Sequence, residues 1–301
     1  MRNQLVSVVV PTYCRPQKVR ECLLALVGQS LSEPWEVILV DDGSPTPVVD
    51  SLGNVITDNL ALKVIRQENA GPAVARNAGV RHARGEFVAF TDDDCLPTPN
   101  WLETLVQAGR ENPEALVGGT TFNGIPQELF ASTSQLIIDM VYQHSNVDPE
   151  NAYFLASNNF LCQRNKFLTI GGFDKSFRRA GAEDRDLCDR WRAAGGPLVW
   201  RPAARVEHRH SQSLRSFAHL HFRYGRGAHV YQRKRRERGS GTMKEDLGFH
   251  RSLPTRLACV LEGQPAFRSQ LSLLAAMLLW QGANAAGFAF EALASRVPPR
   301  S

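Results

Sequence analysis

An apolar run that ends in three consecutive carboxylates constrains this chain more than any other segment. Phe87-Val88-Ala89-Phe90 has the length and continuity of a strand buried on both faces, as in a parallel sheet. Thr91 follows, and then Asp92-Asp93-Asp94. Three adjacent negative charges repel one another unless something positive sits among them. A divalent cation is the simplest answer, and hard oxygen ligands suit Mg2+ or Mn2+. Open α/β sheets bind ligands at the carboxyl ends of their strands. The triplet therefore stands where a metal-held phosphate is expected. The plainer alternative is an acidic turn that caps a helix, since Asp is favoured there.

The residues before the triplet repeat one pattern. Leu5 to Val10 is apolar and β-branched, and Val19, Cys22, Leu23, Leu26 and Val27 then recur at helical spacing. Glu36 to Val40 is a second strand, ending in Asp41-Asp42-Gly43-Ser44, and Lys63 to Arg66 is a shorter third. Gly71-Pro72 opens a helix that runs through Arg84, with proline placed in its first turn. Strand–helix alternation predicts an α/β fold whose sheet is mostly parallel, with right-handed crossovers. Residues 101–215 are less regular and richer in glycine. From Leu214 the chain turns basic and then apolar, so the pattern predicts one domain over 1–215 and a mainly helical extension over 216–301.

Composition narrows the class. A chain of 301 residues with 43% hydrophobic and 22% charged residues is an ordinary globular protein. Its six cysteines include no CxxC pair, which points away from a zinc site or a disulfide scaffold and towards reduced thiols in the cytoplasm. Residues 1–10 lack the apolar stretch and cleavage site of a signal peptide.

Three further groups bear on chemistry. Asp41-Asp42 and Asp92 to Asp94 both end strands, so a parallel sheet aligns them along one edge. A nucleotide diphosphate fits between such groups. Arg76 supplies a cation for phosphate or sugar hydroxyls, or is a surface helix arginine. Leu187 and Trp191, four apart, place Glu183 and Asp184 at the start of a helix, where the dipole favours negative charge. There Asp184 is either a cap or a general base. His208 and His210 follow a strand from Leu198 to Val206; positions two apart on a strand share a face, so either can reach the site, with His208 the preferred one.

Five motifs occur in register: Ser7-Val8-Val9-Val10-Pro11-Thr12-Tyr13, Val40-Asp41-Asp42-Gly43-Ser44, Gly71-Pro72-Ala73-Val74-Ala75-Arg76-Asn77, Thr91-Asp92-Asp93-Asp94 and Gly181-Ala182-Glu183-Asp184. Together they resemble family 2 glycosyltransferases of the GT-A fold, over about residues 5–210. The resemblance implies a three-layer sandwich and an inverting, metal-dependent transfer from a nucleotide-diphosphate sugar donor to a glycan or lipid-linked acceptor. It implies Pro11 and Tyr13 at the nucleoside, Asp42 at the base, Arg76 and Asp93 in the donor site, and Asp92 near the ribose. Asp94 would be the direct metal ligand, with Asp92 and His208 beside it. Asp184 would be the catalytic base, with Glu183 beside it orienting the acceptor or the base. Asn158 to Phe160 and Gly172-Phe173-Asp174 match the acceptor side.

Arg233 to Arg238 is a basic cluster, and Leu271 to Phe290 is uncharged. Nucleic acid is not the expected partner, because the formal net charge is only +5 and no nucleic-acid motif is present. Peripheral contact with an anionic membrane is favoured, at the inner face of the cell membrane. The apolar helix then packs on the domain, forms a homodimer or lies in the lipid interface, rather than spanning it. Two rival readings share part of the pattern. A catalytically silent sugar-nucleotide or polysaccharide-binding module would be free to lose Asp94 or Asp184. A nucleotidyltransferase would carry a glycine-rich phosphate loop after its first strand, and Pro11 to Pro16 is not one.

Overall fold

In the computed structural model, the described residues are 6–53, 60–177, 181–241, 248–249, 253 and 267–296. They form two compact units. The first draws on Met1–Gly124, Asp148–Arg179 and Glu183–Arg209; the second on Ile125–Val147, Ala180–Ala182 and His210–Ser301.

The first unit is built on one eight-stranded sheet. In chain order its elements are β1 (Val6–Thr12), α1 (Pro16–Val27), β2 (Trp35–Asp41), β3 (Leu62–Arg66), α2 (Pro72–His82), β4 (Phe87–Thr91), β5 (Cys95–Pro97) and α3 (Trp101–Glu111). There follow β6 (Leu116–Asn123), β7 (Asn159–Gln163), α5 (Arg164–Thr169), α6 (Glu183–Ala193) and β8 (Leu198–His208), with α4 (Leu129–Ser145) assigned to the second unit. The strand order is β3-β2-β1-β4-β7-β6-β8-β5. β1 to β4 pair in parallel, as the alternation predicts. The second half is mixed: β7 runs antiparallel to both β4 and β6, and β5 antiparallel to β8.

Strand parity sorts the core into layers. Val6, Val8 and Val10 share a core with Leu23 and Leu26 of α1 and with Trp101 and Leu105 of α3. Val9 and Val40 point the other way, against Gly79 of α2. On that face Phe90, Phe160, Phe167 and Phe173 form an aromatic cluster with ring centroids 5.0–6.1 Å apart. Helices thus cover both faces, which buries the apolar central strands completely.

The second unit is helical. α7 (Leu214–Arg238) starts at a capping box, in which Ser213 and Ser216 each accept from the other's backbone N–H. It ends at Gly239, which takes the left-handed conformation at φ 69°. α8 (Phe267–Ala294) packs beside it. Ile137 and Met140 of α4, Phe217 of α7 and Leu273, Met277 and Trp280 of α8 make the shared core. The two long helices touch backbone to backbone. A Cβ on Gly225 would lie 1.9 Å from the Asn284 carbonyl oxygen, and one on Gly287 equally close to that of Phe222. No side chain fits either crossing. Leu271, Leu278, Phe290 and Leu293 remain exposed on α8.

Candidate active site

Strands β1, β2 and β3 step outward in one direction, and β4 is laid on the opposite side of β1. The crevice between the carboxyl ends of β1 and β4 is therefore a topological switch point, where open sheets take ligands. The first residues past these strands fill it. Thr12 Oγ1 donates to Asp93 Oδ2 at 2.7 Å, tying the two strand ends together.

Each acid of the triplet has its own partners. Asp93 also accepts from Arg15 Nη1 at 3.0 Å, and the same nitrogen reaches Asp94 Oδ2 at 3.1 Å. Lys18 Nζ lies 3.8 Å from Asp94 Oδ2. Asp92 accepts from Arg76 Nη2 at 2.6 Å. Burial is the largest influence on Asp93 and pushes its carboxyl up, with Asp94 adding to the shift; Arg15 and Thr12 hold it back, and the net result is about 6. Arg15 and Lys18 are cations that motif reading missed. Their signal was in the chain: two basic residues three apart, straight after the first strand.

His208 closes the far side. β5 pairs with the end of β8 so that Cys95 stands opposite His208. This brings His208 Nε2 to 3.3 Å from Asp94 Oδ1. Burial lowers the imidazole pKa, but the hydrogen bond to Asp94 and the charges of Asp94 and Asp92 outweigh it, and the net shift is upward. Ligand atoms of Asp94, Cys95 and His208 lie within 4.8 Å of one another. The Cys95 thiol is pushed well up, first by burial and then by Asp94 and Asp92, so it stays protonated. What remains is a carboxylate and an imidazole, a donor set that fits Mn2+ better than Mg2+. His210 behaves differently from the strand-face expectation: β8 ends at His208, so His210 is no longer on a strand.

Pro11 is buried in β1, and Tyr13 is exposed beyond it. Cys14 adopts φ 56°, rare for a residue with a side chain, and its N–H donates to Ser44 Oγ at 2.9 Å. It is exposed, whereas Cys22, Cys95, Cys162 and Cys188 are buried. Asp42 is buried and accepts from Gln67 Nε2 at 2.7 Å, Ala70 N at 3.1 Å and Gly71 N at 2.9 Å. Its carboxylate clamps the loop that leads into α2.

The second acidic group starts α6. Glu183, Asp184 and Asp186 lie in its first turn, where the helix dipole stabilises them. Glu183 accepts from Arg76 Nη1 at 3.3 Å. Asp184 is half-buried and accepts from Arg185 N at 2.8 Å. Burial raises its pKa; Arg185 and, less strongly, Arg76 pull back against that. A carboxyl raised this way is a better proton acceptor than an ordinary Asp. Asp186 pairs with Arg190 at 2.7 Å, and Arg190 donates to the Ile170 and Gly172 carbonyls, fixing the loop before Phe173.

Residues 7–179 match the family model for glycosyl transferase family 2. The chain belongs to glycosyl transferase family 2. A second model, described as the N-terminal domain of galactosyltransferase, matches residues 141–219, which include Glu183, Asp184 and His208. This member of the family is 29% identical over 228 residues to the pre-mycofactocin glycosyltransferase of Mycobacterium tuberculosis, covering 74% of this chain and 46% of that one. The chain thus spans about half the length of that relative. It is 29% identical over 248 residues to the glucosyl-dolichyl phosphate glucuronosyltransferase of Haloferax volcanii, covering 72% and 73% of the two chains. Among solved structures, a mannosyltransferase of Pyrobaculum calidifontis in complex with GDP-Man and Mn2+ superposes with TM-score 0.64 at 19% identity, over 98% of this chain and 81% of that one. That likeness establishes the GT-A fold.

Proposed function

We propose that residues 1–215 move a sugar, with inversion, from a nucleotide-diphosphate sugar to a hydroxyl of a glycan or lipid-linked acceptor. The observation that carries this reading is the Asp94–His208 contact of 3.3 Å beside the β1–β4 crevice. Asp94 and His208 would hold Mn2+ or Mg2+, with Asp92 beside them. When bound, the ion supplies Lewis-acid stabilisation of the charge that develops on the departing diphosphate.

The protein's own residues do the rest. Pro11 and Tyr13 line the nucleoside, and Asp42 meets the base while shaping the loop at Gly71. Asp92 faces the ribose, held there by Arg76. Asp93 anchors Arg15, whose guanidinium and the Lys18 amine lie ready for donor phosphate once the acids turn to the metal. On the acceptor side, Asp184 takes the hydroxyl proton as the oxygen attacks the anomeric carbon in line with the leaving group. An alcohol hydroxyl is hardly ionised at neutral pH and needs such a base.

Relatives support this assignment: the Pyrobaculum neighbour is in complex with GDP-Man and Mn2+, and the Haloferax relative is named a glucosyl-dolichyl phosphate glucuronosyltransferase. Within α8, Gln270–Ala294 is long and apolar enough to cross a membrane. Met277 and Trp280 are committed to the helical core, which favours an interfacial helix with Leu271, Leu278 and Leu293 towards lipid. The exposed cations Arg233, Arg236 and Arg238 near the end of α7 would add attraction to an anionic inner leaflet.

The test is a donor panel. The full chain is incubated with Mn2+ and each common nucleotide sugar, and released nucleotide diphosphate is measured, with Asp94→Ala in parallel. One donor should be consumed, only with metal, and at least ~10²-fold more slowly by Asp94→Ala. Metal-independent turnover unaffected by that substitution would refute the proposal.

A further inference from the structure

Arg76 lies in the middle of α2 with 4% of its surface exposed. A guanidinium cannot shed its proton, so burying one requires anionic partners. It has two. One nitrogen donates to Asp92 at the end of β4, and the other to Glu183 at the start of α6. Both contacts lie within the first unit. Glu183 is itself buried. The ring of Phe173 lies 5.4 Å from the guanidinium carbon and limits its movement. Arg76 Nε is buried and finds no acceptor among the described residues. A purely structural arginine would be expected to use that donor as well. The geometry instead spends the planar fork on two carboxylates that belong to different elements.

We infer that Arg76 is a positioning residue that joins the donor-side acid Asp92 to the base-bearing turn of α6 through Glu183. This deepens the proposed function and rests on it. One rigid side chain fixes the separation of two acids that must act on opposite sides of the anomeric carbon. Lysine carries the charge but presents a single point of contact, so it cannot span both carboxylates. Glu183 then acts through its neighbour: held by Arg76, it sets where the first turn of α6 presents Asp184.

The test is a double-mutant cycle on the full chain with Arg76→Lys, Glu183→Gln and the pair. Binding of UDP and of GDP with Mn2+ is read by calorimetry, and kcat, KM and the pH profile are read with the donor that the panel selects. Glu183→Gln should keep nucleotide affinity within about 3-fold while kcat falls on the order of 10²-fold, the scale of a misplaced reacting group; Arg76→Lys, which also releases Asp92, should show the same fall in kcat together with weaker nucleotide binding. The losses should not add, because both variants break one link. A further variant, Arg76→Gln, removes the cation that pulls the Asp184 pKa down, so the acid limb of its profile should move to higher pH, while Arg76→Lys should leave the limb in place. Additive losses, or lost nucleotide affinity with kcat unchanged, would overturn the inference. Should the Arg76 variants fail to fold, Glu183→Gln decides alone: wild-type kcat refutes it. Asp184→Asn in the same assay separates the two ideas. Full turnover there removes the base assignment, while non-additivity of Arg76 and Glu183 still decides the link between them.

Discussion

Replacing Asp42 by alanine should cost fold stability as well as donor affinity, and the structure gives the size. Its carboxylate accepts from Gln67 Nε2, Ala70 N and Gly71 N. Gln67 and Ala70 are exposed enough to turn to water, so their loss is nearly neutral. Gly71 is buried, and its orphaned N–H costs about 1–3 kcal/mol. Gly71 is also the residue that caps the start of α2, so the lost anion there removes roughly another 0.3–1 kcal/mol of dipole interaction. The sum is about 1.3–4 kcal/mol. At ~2–4 °C per kcal/mol for a unit of this size, the melting temperature should fall by roughly 3–16 °C. Differential scanning calorimetry on wild type, Asp42→Ala and Asp42→Asn measures this. The asparagine variant should keep part of the loss back, because its amide oxygen still accepts from Gly71. A fall of under ~1 °C for Asp42→Ala would refute the clamp and leave Asp42 a donor contact only.

Asp184→Asn should lower turnover by roughly two to four decades with UDP or GDP affinity nearly unchanged, measured by single-turnover kinetics and calorimetry. Because burial raises the Asp184 pKa, the wild-type rate should rise with pH through a limb above the ordinary carboxylate range, and Asp184→Asn should flatten that limb. Gly225→Leu should separate α7 from α8, costing ~3 kcal/mol or more, since the Asn284 carbonyl has nowhere to move; a lower midpoint in a urea titration followed by far-UV circular dichroism reads it, and an unchanged midpoint would count against the close crossing. In flotation with anionic vesicles, Leu278→Lys with Leu293→Lys should abolish binding at low salt, and an unchanged bound fraction would count against the lipid-facing stripe.

Local pattern exposed much of this site, because its acids sit at strand ends and strand ends are local. The apolar runs before Asp41 and Asp92 place both groups at one edge once parallel pairing is assumed. Pairing in the second half was beyond that logic. His208 meets Asp94 only because a three-residue strand, β5, runs antiparallel to the end of β8. No periodicity marks so short an element. Partner choice was equally hidden. Asp92, Asp93 and Asp94 look alike in the chain, yet alternation along an irregular turn sends one to Arg76, one to Thr12 and one to His208. The apolar face of α4 is completed by Phe217 and Trp280, far along the chain, so its length and amphipathicity gave no partner.

The backbone at Cys14 has one more consequence. Its left-handed turn throws a thiol outward between Tyr13 and Arg15, while the other described cysteines are sealed in the core. In a Cys259→Ala background the protein therefore carries a single addressable thiol just past the end of β1. A fluorophore attached there would test the proposed donor site directly: its emission should change when a nucleotide is added, without any substitution among the proposed site residues.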